Sequence, residues 1–321
     1  MLKIRKFKET DLEFSELARI DNLVNHDSID HPDDDKRDWF LRDKNLVRDR
    51  FLLYHNDTIV GAIYYNQGRK ENCRTTFFTM NIDPKFNFEE SRLLLYNAMK
   101  KEIDKFHCNK IYTNVYEHSN YDFVRNFLIS KDFKHVQTNR EYYCKIKNID
   151  LKKYQPLIKK LKLIEIDFYD SKEEMQDWPN HYKKLEELTW TYHQDFPIPN
   201  GVKHTRTPFE QAMKIQKDFE KNYYGTEIIA VKNGRYIGST DLEVYYKSEP
   251  HKAWTNGLGV LKDYRRKGIA TALKIKAIEK LIEKGVTEIR TDNEENNPMY
   301  KINLSLGFQP VPFSLEYMKE I

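Results

Sequence analysis

Apolar residues follow strand spacing and helix spacing in turn along the whole chain. In the first half, alternating or short apolar runs predict strands over 2–7, 50–55, 58–65, 75–82, 110–116 and 133–146. Apolar residues three or four positions apart predict helices over 10–25, 33–47, 88–106 and 121–131. The pair Asn56-Asp57 separates two of these strands, which predicts a hairpin.

The second half repeats this order of elements. Strands are predicted over 163–169, 227–231, 236–246, 254–260 and 288–292, with a closing strand at the end of the chain. Helices are predicted over 172–195, interrupted at Pro179, and over 208–219, 269–283 and 299–306.

Matching features recur at a nearly constant separation, which is typical of a duplicated domain. The separation is 177 positions for Val60 and Ile237, 178 for Ile82 and Val260, and 175 for Phe133 and Phe308. The alternative is chance similarity between two α/β domains. The sequence therefore predicts an N-terminal domain over 1–146, a linker over 147–162 and a C-terminal domain over 163–321.

The basic turn 265–270, with the sequence Arg-Arg-Lys-Gly-Ile-Ala, joins a predicted strand to a predicted helix. A helix N-terminus carries unpaired backbone N–H groups and the positive end of the helix dipole. Gly268 lets a ligand approach the backbone, and the basic side chains add positive charge. The turn therefore suits an anion such as a diphosphate, although an ordinary solvated junction has the same local sequence.

Two motifs resemble those of the GNAT superfamily of N-acetyltransferases. The first is Arg265-x-x-Gly268-x-Ala270 after an apolar strand, which is similar to the acetyl-CoA signature of that superfamily. The second runs from Thr291-x-Asn293 to Leu306-Gly307-Phe308. The sequence departs from the pattern at Arg266, where many members have glycine, and it is one residue short between Asn293 and Asn296.

The resemblance implies an α/β (α+β) fold with two tandem GNAT domains, each a mixed, mostly antiparallel sheet flanked by helices. The tandem arrangement resembles the group that includes mycothiol synthase. By contrast, 87–92, which lies opposite the basic turn, reads Asn-Phe-Glu-Glu-Ser-Arg and has no glycine. Two carboxylates there would repel phosphate, so the N-terminal domain is predicted to lack an acetyl-CoA site.

The resemblance also implies direct transfer of an acetyl group from acetyl-CoA to a primary amine, with acetyl-CoA as co-substrate. It assigns these residues to the cofactor site: Leu258, Val260, Arg265, Arg266, Lys267, Gly268, Ile269, Ala270, Thr271, Asn293, Asn296, Asn297 and Asn303. The asparagines could equally form turns and helix caps. Replacing Gly268 by Asp is expected to abolish binding and leave the fold intact.

Candidate catalytic residues follow from strand and helix positions. Glu243 lies mid-strand on one face with Asp241 and Tyr245, and it matches the place where many family members carry a base. It could instead form an ion pair or face solvent. At the position of Asn303, many members of the family have a tyrosine that acts as the general acid. Tyr300, one helical turn earlier, is therefore the predicted general acid here. Tyr300 could also be a packing residue, with water as the acid.

The acceptor side is predicted from the aromatic segment 189–200. There Asp195 could hold a cationic amine between Trp190 and Tyr192, although a packed helix end would look the same. The acceptor is expected to be a small molecule, and its identity is not fixed by the sequence.

Composition narrows the function further. A net charge of +4 over 321 residues gives no argument for nucleic-acid or membrane binding. Three cysteines without Cys-x-x-Cys spacing, and an N-terminus without an apolar signal segment, predict a cytoplasmic protein. The ten histidines form no metal-binding motif, so no metal is expected. The oligomeric state is left open.

Three alternatives remain at this stage. The first is a non-catalytic acyl-CoA-binding sensor or interaction module. The second is transfer of a larger acyl group. The third is a nucleotide-phosphate binder, which is disfavoured because the Gly268 turn lacks the Gly-Lys-Ser/Thr ending of a P-loop.

Overall fold

The computed structural model describes residues 1–25, 28–222, 224–245 and 247–321. The chain forms two compact units. Unit 1 contains 1–139, 198–205 and 312–321, and unit 2 contains 140–197 and 206–311. These units are not contiguous in sequence, whereas the predicted domains are, and the predicted linker 147–162 falls within unit 2.

Unit 1 places its strands side by side in the order β1, β2, β3, β4, β5, followed by β12 and β6. Its elements are β1 (Leu2–Lys6), α1 (Asp11–Val24), α2 (Pro32–Leu41), β2 (Arg48–His55), β3 (Thr58–Gln67), β4 (Thr75–Ile82), α3 (Glu89–Ile103), β5 (Lys110–Tyr116), α4 (Asp122–Ser130) and the first part of β6 (Lys134–Lys145). Thr10 caps α1 in a capping box with Glu13.

Unit 2 places its strands in the order β6, β11, β10, β9, β8, β7. Its elements after β6 are α5 (Gln155–Leu163), β7 (Ile166–Asp170), α6 (Ser171–Glu174), α7 (His181–His193), α8 (Phe209–Asn222), β8 (Tyr224–Lys232), β9 (Arg235–Val244), β10 (Lys252–Val260), α9 (Ile269–Glu283), β11 (Glu288–Glu294) and α10 (Tyr300–Ser305). The strand predicted to end at Tyr246 reaches a residue outside the described ones.

The last strand, β12 (Gln309–Glu320), does not close the sheet of the second half of the sequence. Its residues 314–320 pair antiparallel with β5 in unit 1, from Ser314 opposite Tyr116 to Glu320 opposite Lys110. Residues 140–145 of β6 belong in turn to unit 2, beside β11. Each unit therefore takes a strand segment from the other half of the sequence.

Each unit buries its own apolar core on both faces of its strands. In unit 2, α9 supplies Ala272, Leu273, Ile275 and Ile278 to one face, in a core that includes Leu242 of β9. On the other face, α7 packs Leu185, Leu188 and Tyr192 against Ile229 and Val231 of β8. Helices thus cover both faces of the strands, which is the α/β architecture that the sequence predicts. No helix in the described parts of the chain is long and apolar enough to span a membrane.

One parallel strand pair in each unit separates after a short paired stretch. In unit 2, β10 pairs with β11 at Lys252–Glu288, Ala253–Ile289 and Trp254–Arg290. Among the described residues, the backbone pairing of these two strands ends at Trp254 and Arg290. In unit 1, β4 and β5 pair over four positions, ending at Phe78 opposite Thr113. We call these two gaps the strand openings of unit 2 and unit 1.

Candidate active site

The strand opening of unit 2 leads to the N-terminus of α9. β10 ends at Val260, a short turn of 3₁₀ helix covers Lys262–Tyr264, and α9 begins at Ile269. Gly268 caps the helix with φ +85°, and Arg266 has φ +62°, so the turn needs two residues in the left-handed region. The first N–H groups of α9 have no acceptor within the helix and point out of its N-terminus.

Arg265 holds the basic turn together. Its Nε donates to the carbonyl oxygen of Val260 at 2.8 Å, and its Nη2 binds Asp195 at 2.5 Å. Lys262 Nζ lies 2.9 Å from the other oxygen of Asp195. Hydrogen bonds from Lys262 and Arg265 hold the pKa of Asp195 below its usual range. Asp195, predicted to receive a substrate amine, therefore already has two cationic partners within the protein.

Gly268 packs against the segment predicted to be a linker. A Cβ atom on Gly268 would lie 2.7 Å from Cδ1 of Leu157, a residue of α5. The same position has a φ that side chains rarely adopt. Gly268→Asp therefore carries a conformational cost from its φ, and the end of the Leu157 side chain has to shift; the expectation that the fold stays intact remains a prediction.

The edge of β10 that faces the opening has features that fit an extended ligand. A bulge interrupts the pairing of β10 with β9 between Thr255 and Gly257. The Thr255 hydroxyl is buried and has no hydrogen-bond partner, which leaves a polar group unsatisfied at the opening. Leu258 lies beyond the bulge and is partly buried, and Val260 is buried beside the turn.

Charged side chains surround the closed end of the opening. Arg290 binds the carboxylate of Glu141 through Nε and Nη2, at 3.1 and 2.8 Å, and both residues are buried. The Arg290 guanidinium also lies 5.4 Å from the ring centroid of Trp254. This cluster fixes the last paired position of β10 and β11, so the opening begins at a defined residue.

Asp241 lies at the bulge, opposite Gly257 in the strand register. Hydrogen bonds from the Asn256 side chain and from the backbone of Gly257 reach its carboxylate. Burial nevertheless raises its pKa to about 6. A Cβ atom on Gly257 would lie 2.9 Å from Asp241 Oδ1, so glycine makes room for the carboxylate. A carboxyl group with a pKa near neutrality is suited to general base catalysis.

Glu243 lies two residues further along the same face of β9, opposite Trp254. It accepts a long hydrogen bond, 3.4 Å, from the Tyr245 hydroxyl. Both carboxylates that the strand period predicted to share a face are thus near the closed end of the opening. The sequence prediction favours Glu243, whereas the raised pKa and the position at the bulge favour Asp241.

The two residues predicted to form aromatic walls of the acceptor site, Trp190 and Tyr192, contact different parts of the protein. Tyr192 is buried, its hydroxyl lies 3.1 Å from Ser239 Oγ, and its ring covers the backbone of Gly259 so closely that no Cβ would fit there. Trp190 instead faces Arg206, whose guanidinium lies 5.9 Å from the ring centroid. Tyr192 therefore packs α7 onto β10, and Trp190 packs toward the segment before α8.

A buried polar chain occupies the place of the missing family tyrosine. Lys274 Nζ, in the middle of α9, donates to Asn303 Oδ1 at 2.5 Å, and Asn303 Nδ2 donates to Asn293 Oδ1 at 2.7 Å. The ammonium also lies 4.7 Å from the ring centroid of Phe308. Burial lowers the pKa of Lys274 to about 7. The three side chains connect α9, α10 and β11.

The remaining predicted residues have local roles in the structure. Asn296 binds Glu294 through its backbone and side-chain N–H groups, and Asn297 Oδ1 accepts from the backbone of Met299. These are the turn and cap contacts that the sequence left open as an alternative. Tyr300 begins α10, and its ring centroid lies 5.8 Å from the guanidinium of Arg140.

Comparison with known proteins bears on the family and the fold. The acetyltransferase (GNAT) family matches residues 183–308. A tandem GNAT protein from the clavulanic acid biosynthesis pathway has a TM-score of 0.80 at 14% identity, covering 100% of this chain and 98% of its own. A GCN5-related N-acetyltransferase from Sphaerobacter thermophilus has a TM-score of 0.68 at 14% identity, covering 99% and 95%. No curated protein sequence matches the chain.

Most of the matched residues 183–308 lie in unit 2, and we call this matched region the GNAT domain. The full-length similarity to a tandem GNAT structure confirms the predicted tandem fold. A glucosamine N-acetyltransferase region of a fungal β-N-acetylglucosaminidase has the same fold, with a TM-score of 0.73 at 13% identity. The similarity covers 99% of this chain and 38% of that longer protein.

Sequence reasoning missed two residues of the GNAT domain. Lys274 lies on the buried face of α9, between Leu273 and Ile275, and a lysine on such a face could have been flagged as a buried charge. Asp241 was noted on the face of Glu243, but its position at a bulge cannot be inferred from alternation alone. In the described parts of the chain, no group of three or more metal-ligating side chains comes together.

Proposed function

We propose that the GNAT domain transfers an acetyl group from acetyl-CoA to a primary amine of a small molecule. The observation that carries this proposal is the strand opening between β10 and β11, which runs from Asp241 to the N-terminus of α9. When bound, acetyl-CoA supplies the thioester that is attacked by the amine nitrogen.

The residues around the opening fit acetyl-CoA. The N–H groups at 269–271 would hold the diphosphate, with positive charge from Arg266 and Lys267 beside them. The backbone of β10 at Leu258 and Val260 would pair with the pantetheine arm as an added strand does, and the unsatisfied Thr255 hydroxyl offers a further polar contact. Asn293 lies across the opening on β11.

Asp241 is the base in this proposal. An amine is mostly protonated at neutral pH, so a base must remove a proton before attack. A carboxyl group with a pKa of about 6 is ionised above that pH and can accept this proton directly or through water. Glu243 stays a second candidate because it shares the face of Asp241.

The proton for the leaving sulfur has two candidate donors. Tyr300 is the donor predicted from the sequence. Lys274 is favoured by its contact with Asn303, which stands where the family resemblance places a tyrosine. Its Nζ holds a proton that a pKa of about 7 allows it to release near neutral pH. Lys274→Met and Tyr300→Phe would show which loss slows turnover.

Calorimetric titration with acetyl-CoA and then CoA tests the cofactor site. We expect saturable binding by the full chain, and at least a tenfold loss, about 1.4 kcal/mol, in Thr271→Glu. The new carboxylate would repel the diphosphate, whereas an acidic residue in the first turn suits the helix dipole and preserves the fold. Thr271→Gln is the matched neutral control and should bind as the parent protein does.

A panel of primary amines then tests catalysis. Turnover with any amine would support the transferase, and binding without turnover would favour the alternative of an acyl-CoA sensor. If the parent protein binds neither acetyl-CoA nor CoA, the cofactor assignment is overturned.

A further inference from the structure

A half-buried carboxyl group in unit 1 is held by hydrogen bonds from neutral side chains. Asp21, on α1, accepts hydrogen bonds from the Tyr64 hydroxyl at 3.1 and 2.9 Å and from Asn81 Nδ2 at 2.7 Å. No ion pair to Asp21 occurs among the residues that the structure describes. Burial and the nearby Asp30 raise the pKa of Asp21 to about 7. The hydrogen-bond donors to Asp21 are thus one hydroxyl, shared between its two oxygens, and one amide, and both are neutral.

Arg50 interacts electrostatically with Asp21 but is already bound by another carboxylate. Arg50 is 3% exposed and its two terminal nitrogens bind the two oxygens of Asp35, at 2.6 and 2.5 Å. Its guanidinium also lies over the rings of Tyr64 and Trp39, at 4.9 and 4.8 Å from their centroids. Arg50 is therefore fixed in an aromatic setting by another carboxylate and does not form a salt bridge with Asp21.

A second acceptor beside Asp21 also lacks a donor. Asn81 is 8% exposed, and its Oδ1 is buried without a hydrogen-bond partner. Its Nδ2 is held by Asp21, so the amide oxygen cannot exchange places with the amide nitrogen without setting two acceptors against each other. Asp21 and Asn81 are therefore in direct contact through Nδ2, and the carboxylate and the amide oxygen are both acceptors that N–H or O–H donors can satisfy.

Asn81 locates this pair of side chains within unit 1. Asn81 lies on β4 beyond Phe78, the last residue paired with β5, and so at the strand opening of unit 1. Tyr64 is 177 positions before Asp241, the separation that relates the two repeats at Val60 and Ile237. Asp21 itself is partly exposed, so the site can be approached from the surface.

We propose that Asp21, Asn81 and Tyr64 form a binding site for a primary ammonium group of a small amine, separate from the acceptor site of the GNAT domain. An ammonium group carries one positive charge and several N–H donors. One group of this kind would balance Asp21 and satisfy Asn81 Oδ1 together, which a neutral donor cannot do. The site does not depend on acetyl transfer, because each of its residues lies in unit 1.

Titration of the ¹⁵N-labelled full chain with methylammonium chloride, followed by NMR, tests this site. We expect saturable shifts of the Asn81 side-chain amide, identified by its loss in Asn81→Ser. Tetramethylammonium chloride has the same charge but no N–H group, and it should cause no such shift. Asn81→Ser serves only to assign the signal, and the comparison of the two cations is made on the parent protein.

Variants then locate the effect. Asp21→Asn should weaken methylammonium binding by about tenfold or more, because a neutral amide replaces the charged acceptor. Asp241→Asn changes the corresponding face of unit 2 and should leave the Asn81 shift unaltered. Equal shifts with tetramethylammonium, no shift at Asn81, or unchanged affinity in Asp21→Asn would each overturn the proposal.

Discussion

The two units build the same junction between a strand opening and a helix, but they give it opposite charge. In unit 2, Gly268 caps α9 and Arg265, Arg266 and Lys267 precede it. In unit 1, Phe88 caps α3 and the first turn contains Glu89 and Glu90. Acidic residues suit a helix N-terminus without a ligand, whereas a basic turn leaves its N–H groups to an anion.

Arg92 completes this difference. It aligns with Ala270 at the separation of 178, and its Nη1 donates to both the backbone and side-chain oxygens of Asn87, at 2.8 and 2.6 Å. Its guanidinium lies 5.7 Å from the ring centroid of Phe123. A protein side chain thus stabilises the loop of unit 1, and the fold has been kept without the features of a phosphate site.

The carboxyl groups of the two strand openings differ in another way. Unit 2 has Asp241 on the strand and Tyr192 on the helix that covers it, whereas unit 1 has Tyr64 on the strand and Asp21 on the helix. Burial raises the pKa of both carboxyl groups, to about 6 and about 7. In our proposals the base of the GNAT domain is the carboxyl group at the bulge, whereas the ammonium site of unit 1 uses a carboxyl group on a helix.

The largest expected effect separates the units by rate. Asp241→Asn should lower kcat/KM for acetyl transfer by about 10²–10⁴-fold, because a general base typically contributes that much. Asp21→Asn, the corresponding change in unit 1, should leave the rate within about twofold, since it lies outside the GNAT domain. Steady-state rates with the best amine of the panel would measure both.

Glu243→Gln distinguishes the two carboxylates of the GNAT domain. If Asp241 is the base, the pH–rate profile of Glu243→Gln should keep its acidic limb near pH 6, the pKa of Asp241. Loss of that limb in Glu243→Gln, with little effect of Asp241→Asn, would return the role to Glu243.

An effect of intermediate size concerns packing at the equivalent strand position. Gly259 in unit 2 aligns with Asn81 in unit 1, at the separation of 178. Gly259→Ala should destabilise unit 2 by about 1–3 kcal/mol, because its methyl group would overlap the Tyr192 ring. Gly234→Ala, where a Cβ meets no atom within 4 Å, is the control for a glycine without a steric constraint, although its φ of +73° adds some strain.

Denaturation by urea would measure the free energy of unfolding for these variants. Tyr192→Leu provides a second test, since Gly259→Ala should cost less in that background. Equal costs in both backgrounds would show that the contact with Tyr192 does not exclude the methyl group.

Stability should also depend on pH through Asp21. The pKa of Asp21 is about 7 in the folded state and about 3.8 in the unfolded chain, so the folded protein binds more protons between these values. Stability should therefore fall as pH rises through about 4 to 7. Asp21→Asn should remove this component, raising stability relative to the parent more at pH 8 than at pH 4.

Thermal unfolding of parent and Asp21→Asn at pH 4, 6 and 8 would measure this difference. The contribution of Asp241 has the same sign and is present in both proteins, so it cancels in the comparison. A difference that is constant with pH would mean that Asp21 does not titrate in this range.

The sequence by itself determined the repeat, the order of elements and the basic turn. These features depend on apolar spacing and on local backbone chemistry, which neighbouring residues fix. β4 and β5, for example, have the predicted bounds 75–82 and 110–116. The motif that contains Gly268 also located the helix N-terminus correctly.

Only the tertiary structure decided which predicted residues have other partners. Asp195 binds Arg265 and Lys262, 70 and 67 positions away, and Leu157 covers Gly268 from a segment predicted to be a linker. The pairing of β12 with β5 in unit 1 likewise joins strands that are far apart in the sequence. Such contacts join residues that are far apart in the sequence, and burial at these contacts shifts pKa values. The spacing of residues along one chain does not predict which distant residues will meet.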